Sequence, residues 1–160
     1  MSFHPVAFID ASQATASYVK QFRARLQGDR LALRLGGVDN PILKEWKSAK
    51  ILLNKIASAA APLLGGEPAK IVNAMIWSLP PQGRMDWMDA PETLRAYLPL
   101  LPSPGAMLFS GLEAHNPPVG QLTAVGGAVP FAALNLGPVA AVWLQIDAEF
   151  PDRETGPAAG

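Results

Sequence analysis

Residues 96–146 read AYLPLLPSPGAMLFSGLEAHNPPVGQLTAVGGAVPFAALNLGPVAAVWLQI; they contain no Lys or Arg and a single acid, Glu113. Water cannot solvate a segment so poor in ions along its whole length, so it must be sheltered within the molecule or against another one. Three runs in it, 107–113, 121–129 and 139–147, carry strand-forming residues and are separated by Asn116-Pro117-Pro118 and Gly137-Pro138, which are turn chemistry. They predict an antiparallel meander. Residues 124–146 are long enough to cross a bilayer, but Gly126, Gly127, Pro130, Gly137 and Pro138 interrupt them and no basic cluster anchors either end. No membrane span is expected.

Toward the N-terminus the pattern becomes helical. Glu67-Pro68 opens and Pro80-Pro81 closes a helix through Val72, Met75, Ile76 and Leu79, and Asp89-Ala-Pro-Glu92 caps another through Leu94, Tyr97 and Leu98. Between them, residues 82–89 form a short polar loop around Trp87. Asn40-Pro41 starts the longest helix, running to Leu64 with Lys44, Lys47, Lys50 and Lys55 on its outer side. No aromatic residues interleave with these lysines as base stacking would require, so no specific nucleic-acid binding is expected. Val6 and Phe8 suggest a short strand, Tyr18, Phe22 and Leu26 a helix over 10–26, and Leu31, Leu33 and Leu35 a second strand. The fold class expected is α+β, with N-terminal helices packed on a small, mainly antiparallel C-terminal sheet. Residues 1–148 form one domain in this reading, and 149–160 have the composition of a C-terminal tail.

The 160 residues are 49% hydrophobic and 16% charged, against roughly 25% charged in soluble chains, which leaves apolar surface for a partner to cover. Residues 1–70 carry ten Lys or Arg against five Asp or Glu, while residues 71–160 carry three against eight. Such an electrically bipolar chain can associate head to tail, so other protein subunits, in a homo-oligomer or a mixed assembly, are the expected partners. The absence of cysteine excludes disulfides, thiolate metal sites and a cysteine nucleophile. The N-terminus lacks a basic n-region, so classical secretion is not expected; the cytoplasm, or the inside of a virion or other large assembly, is.

The search for chemistry is mostly negative. His4 and His115 stand isolated from any residue that would complete a metal site, so neither a metal nor a cofactor is expected. Ser110-Gly111 lacks the first glycine of a nucleophile elbow, and Gly36-Gly37, Gly65-Gly66 and Gly126-Gly127 match no nucleotide-binding fingerprint. Two polar groupings remain. Arg84, Asp86, Trp87 and Asp89 could contact a partner with Trp87 as anchor. Glu113, His115 and Asn116 could orient an imidazole as a proton carrier, because residues two apart share a strand face.

The favoured function is a non-enzymatic structural subunit of a larger assembly, such as a virion, phage-tail-like or scaffold component. One alternative is a module binding a small apolar ligand between helices and sheet through Met75, Trp77, Trp87, Met88 and Met107. The other is a hydrolase-like enzyme using Glu113 with His115, or an enzyme using Asp86 with Arg84.

Overall fold

The computed structural model describes residues 3–23, 32–34, 45–88, 94–125 and 130–149. Their strands are β1 (Phe3–Phe8), β2 (Ala32–Arg34), β3 (Ile71–Leu79), β4 (Arg84–Met88), β5 (Leu94–Leu101), β6 (Ala106–Ser110), β7 (Glu113–His115), β8 (Gln121–Val125), β9 (Phe131–Asn135) and β10 (Ala141–Ala148). They form a six-stranded sheet in the order β1-β8-β5-β10-β3-β2 and a four-stranded sheet in the order β4-β9-β6-β7. Every pairing is antiparallel.

Strand alternation sends successive residues of the large sheet to opposite sides, and both sides are buried. On its outer side lie α1 (Ser12–Ser17), continued by a π-turn over Tyr18–Phe22, and α2 (Lys47–Ala59), followed by a 3-10 turn over Ala61–Leu64. The buried residues of α2, Ala49, Leu52, Leu53 and Ile56, recur at the spacing of one helical face, while Lys47, Lys50 and Lys55 point to water. They share a core with Ala74, Ile76, Leu98, Leu122, Leu144 and Ile146 of the sheet. Each such Leu or Ile contributes about 1.5–3 kcal/mol by leaving water. The inner side, with Phe3, Leu79, Tyr97, Val125 and Trp143, meets Met85, Leu108, Phe131 and Ala133 of the small sheet in a second core. The molecule is a helix layer on a two-sheet sandwich.

This overturns the α+β expectation of N-terminal helices on a small C-terminal sheet. Residues expected to be helical around Val72–Leu79 and Leu94–Leu98 are β3 and β5, and the expected polar loop at 82–89 contains strand β4. The physical reason is double burial. A strand covered on both sides shows no apolar–polar alternation, and its apolar run can satisfy a helical spacing by chance. The three C-terminal runs do contain the strands β6, β8 and β10, but not a meander: β8 and β10 belong to the large sheet and β6 to the small one, and β9 falls between the expected strands. Within the described residues the expected helix over 10–26 is α1 and its π-turn, Ser12–Ser17 and Tyr18–Phe22, and the expected long helix is α2 with its 3-10 turn, Lys47–Ala59 and Ala61–Leu64. Ala11 stands at the N-cap of α1, which has no side-chain cap, and Asp10 before it accepts the Ser12 backbone N–H at 3.0 Å. Leu26, Leu31, Leu35, Asn40, Lys44, Asp89, Glu92 and residues 150–160 of the expected tail lie outside the described residues.

Candidate functional site

The inner side of the large sheet is where polar chemistry collects. On β5 and β10 the inward positions are Arg95, Tyr97, Trp143, Gln145 and Asp147, interleaved with the outward apolar residues Ala96, Leu98, Val142, Leu144 and Ile146. Pairing sets Arg95 opposite Asp147 and Tyr97 opposite Gln145. The Arg95 guanidinium donates from Nε to Oδ1 of Asp147 at 2.7 Å and from Nη2 to Oδ2 at 3.1 Å, a two-point ion pair only 15% and 10% exposed. Burial is the strongest influence on Arg95 and opposes its charge. The hydrogen bond and the charge of Asp147, helped by Tyr97, outweigh it and hold the guanidinium pKa above its ordinary value.

One layer further in, Oε1 of Gln145 accepts from Trp77 Nε1 at 2.9 Å and from the Tyr97 hydroxyl at 3.1 Å. Burial pushes the Tyr97 phenol well above its ordinary pKa of 10.0. Phe131, opposite in the small sheet, packs edge-on against Tyr97 and lies under Arg95, with 5.4 Å from the guanidinium carbon to the ring centre. Ser110 shares the inward face of β6 with Ala106 and Leu108, and its buried Oγ makes no hydrogen bond among the described residues.

The opposite end of the sandwich is open, and Pro99 shows why. The β5–β8 ladder covers Arg95–Tyr97 and ends before Pro99, which has no N–H to donate, while the β5–β10 register shifts beside it. A cavity of about 500 Å³ opens there, walled by Pro99, Ser103, Asn116, Pro118 and Val119 and backed by Trp143. Its rim is braced by Asn135. The side-chain nitrogen of Asn135 donates to the carbonyls of Leu79 at 2.9 Å and Val139 at 2.8 Å, and its oxygen accepts from Gly137 N–H at 2.9 Å and Ser103 Oγ at 3.3 Å. Gly105 and Gly137 approach so closely that a Cβ on Gly105 would run into the Gly137 backbone. A larger cleft of about 690 Å³ lies outside the sandwich, between the start of α1 and Leu100, and shares Val119 as a wall. The smaller cavity is the stronger site candidate, because it lies against Trp143 among the loops that join the two sheets and combines an indole with a hydroxyl and an amide.

Of the residues singled out in the sequence, Glu113 and His115 do share a face of β7, with the exposed Ala114 between them. The His115 ring stacks on Phe3 at 5.1 Å between centroids and stands 3.5 Å from Thr123 Oγ1; burial lowers its pKa. Asn116 points elsewhere, donating to the Pro104 carbonyl at 3.2 Å. Arg84 and Asp86 pair with each other at 3.2 Å on the exposed face of β4. Asp89 and the side chains of Trp87 and Met88 lie outside the described residues. The proposed apolar-ligand set does not converge: Met75 and Trp77 occupy the inward positions of β3, whereas Met107 alternates with the inward residues of β6 and faces away. Arg95, Tyr97, Gln145 and Asp147 were not anticipated. Their signal is a pair of polar residues two apart in each strand, Arg95 with Tyr97 in LRAYLPLL and Gln145 with Asp147 in AVWLQIDA.

The chain's two histidines do not face each other. Phe3 turns inward onto His115, so its neighbour His4 projects from the other side of β1, where it is exposed. No group of three His, Cys, Asp or Glu able to hold a metal occurs among the described residues, and no helix among them is long and apolar enough to cross a membrane.

No family model and no curated protein sequence matches the chain. Solved structures do share its fold. A non-heme monooxygenase, ThoJ, in its nickel complex superposes with a TM-score of 0.68 at 17% identity over 94% of this chain and 74% of that one. SnoK, a non-heme alpha-ketoglutarate-dependent carbocyclase from nogalamycin biosynthesis, does so with 0.69 at 10% identity over 93% and 79%. A prolyl-4-hydroxylase from Pseudomonas putida gives 0.58 at 14% identity over 94% and 93%. At such identities the likeness is one of fold, a cupin-type jelly roll. Non-haem iron is commonly held by two histidines and a carboxylate on one face. This chain has only two histidines, on opposite sides of a sheet, so its residues do not fit that group. The expectation of a non-enzymatic assembly subunit, with its virion or scaffold setting, gives way on two findings. Most of the described part of the ion-poor stretch is covered from within by the two cores, with Leu112, Val119, Leu136 and Val139 left exposed, and the proteins built on this fold include a monooxygenase, a carbocyclase and a hydroxylase.

Proposed function

We propose that the chain is a jelly-roll enzyme acting on a small, mainly apolar organic molecule seated at the Trp143 end of its sandwich. The observation that carries this reading is the cavity of about 500 Å³ beside Pro99 and Trp143, among the loops that join the sheets, mainly apolar in its walls and equipped with Ser103 and Asn116 for orientation. The enzyme class itself rests on likeness of fold to proteins described as enzymes, which is an analogy. His115 does not line this cavity; it is proposed as the proton acceptor because it directly precedes Asn116 in the chain and has Glu113 beside it on the same strand face. Its lowered pKa keeps the imidazole mostly neutral, and so able to accept a proton, even at the ordinary value of 6.5.

The test is a thermal-shift titration with bicyclic probes such as 1-naphthol, on the full chain and on two variants that fill one hollow each. Asn116→Trp occupies the sandwich mouth and Ala16→Trp the cleft beside α1. Saturable stabilisation that survives Ala16→Trp and disappears in Asn116→Trp is expected. The reverse pattern would move the site out of the sandwich and end this reading. Mass spectrometry of a metabolite extract incubated with the chain should show a compound consumed by the wild type, spared by Asn116→Trp and turned over more slowly by His115→Gln.

A further inference from the structure

We infer that this chain carries the jelly-roll scaffold without a resident iron, the inward polar groups of its central strands β5 and β10 being paired with one another and with Trp77 instead of with a metal. The inference goes beyond the proposed substrate site and shares only His115 with it. A two-histidine, one-carboxylate centre cannot be assembled, because His115 faces into the sandwich and His4 projects from the opposite side of β1. The carboxylate that the central strands place inside, Asp147, has both oxygens engaged by Arg95. A divalent cation approaching Asp147 would therefore meet a fixed guanidinium charge a few ångströms away, in a setting only 10–15% exposed where water screens it poorly. Deeper in, the Gln145 oxygen is shared by two buried donors, Trp77 Nε1 and the Tyr97 hydroxyl, so it too is committed. Each group on the inward face of β10 that could ligate a metal is thus already in use.

The experiment takes tag-free full-length chain, equilibrates it with Fe(II) without oxygen and separately with Ni(II), desalts it and measures retained metal by mass spectrometry, with melting temperature followed in parallel. Less than a tenth of an equivalent of either metal, and an unchanged melting temperature, is expected. One equivalent retained by the wild type and lost in His115→Ala or His4→Ala would overturn the inference, as would a metal-dependent rise in melting temperature that either variant abolishes. The bicyclic-probe titration repeated in EDTA separates the two proposals. Probe binding that persists in EDTA supports metal independence; binding that EDTA removes and Ni(II) restores defeats it while leaving the cavity as the site.

Discussion

The two faces of the six-stranded sheet are made by the same strands and buried to a similar degree, yet they follow different chemistry. Toward the helices, β3, β5 and β10 present Ala74, Ile76, Ala96, Leu98, Val142, Leu144 and Ile146, all apolar. Toward the second sheet the intervening positions are Trp77, Arg95, Tyr97, Trp143, Gln145 and Asp147. The first face is held by area removed from water, which is non-directional and tolerates sliding. The second is held by hydrogen bonds whose partners sit on neighbouring strands, which fixes the register: slipping β10 by one residue against β5 would strand Arg95, Asp147, Tyr97 and Gln145 together.

That contrast is broken most severely at Asp147. Asp147→Ala leaves the Arg95 charge buried without its counterion, and urea denaturation should show a loss of about 3–5 kcal/mol. The double variant Asp147→Leu with Arg95→Met should recover to within about 1 kcal/mol of wild type, or exceed it, since well-packed apolar replacements of a buried pair are commonly neutral or stabilising. Equal losses in the single and double variants would show that the ion pair is not what the inner face depends on.

On the helix side the expected loss is smaller. Leu144→Ala removes one buried side chain from the core shared with α2 and should cost about 3 kcal/mol by transfer and cavity terms alone, with no rescue from a second site. If a partner substitution on the helix face restored stability as readily as Arg95→Met does on the inner face, the distinction between area and specific pairing would fail.

The same contrast explains what could be read from the sequence. The strands ending in Ser110, Val125 and Ala148 were legible because Gly or Pro brackets apolar runs too short for helices. β3 and β5 were not: Leu94, Tyr97 and Leu98 imitate the i, i+3, i+4 stripe of a helix when both faces of a strand are buried, and the competing signal, Pro99 two residues beyond Tyr97, looks like an ordinary helix end. Sheltering of most of the stretch from Ala96 to Ile146 followed from its lack of ions, and much of that shelter is a second sheet formed partly from its own residues. The Arg95–Asp147 pair was beyond reach, since its members are 52 positions apart and meet only through the β5–β10 register. Glu113 and His115 were found because their alternation on β7 is local.

The smallest expected effect concerns Tyr97 and isolates one hydroxyl of the inner face. Near pH 8, Tyr97→Phe deletes the hydrogen bond to Gln145 and should lower stability by about 1 kcal/mol. At higher pH the sign turns. Burial raises the folded-state pKa of Tyr97 above its unfolded value of 10.0, so the unfolded chain releases this proton first. The stability contributed by the neutral phenol is complete below about pH 10 and falls as pH rises past it, by at most about 1.4 kcal/mol per pH unit. Phenylalanine has no proton to release. Across pH 9–11.5 the wild-type stability curve should therefore descend more steeply than that of Tyr97→Phe, and the gap between the two should close. Parallel curves over that interval would mean that the Tyr97 hydroxyl reaches water, and that the layer around Gln145 is an entrance to the sandwich and not part of its sealed interior.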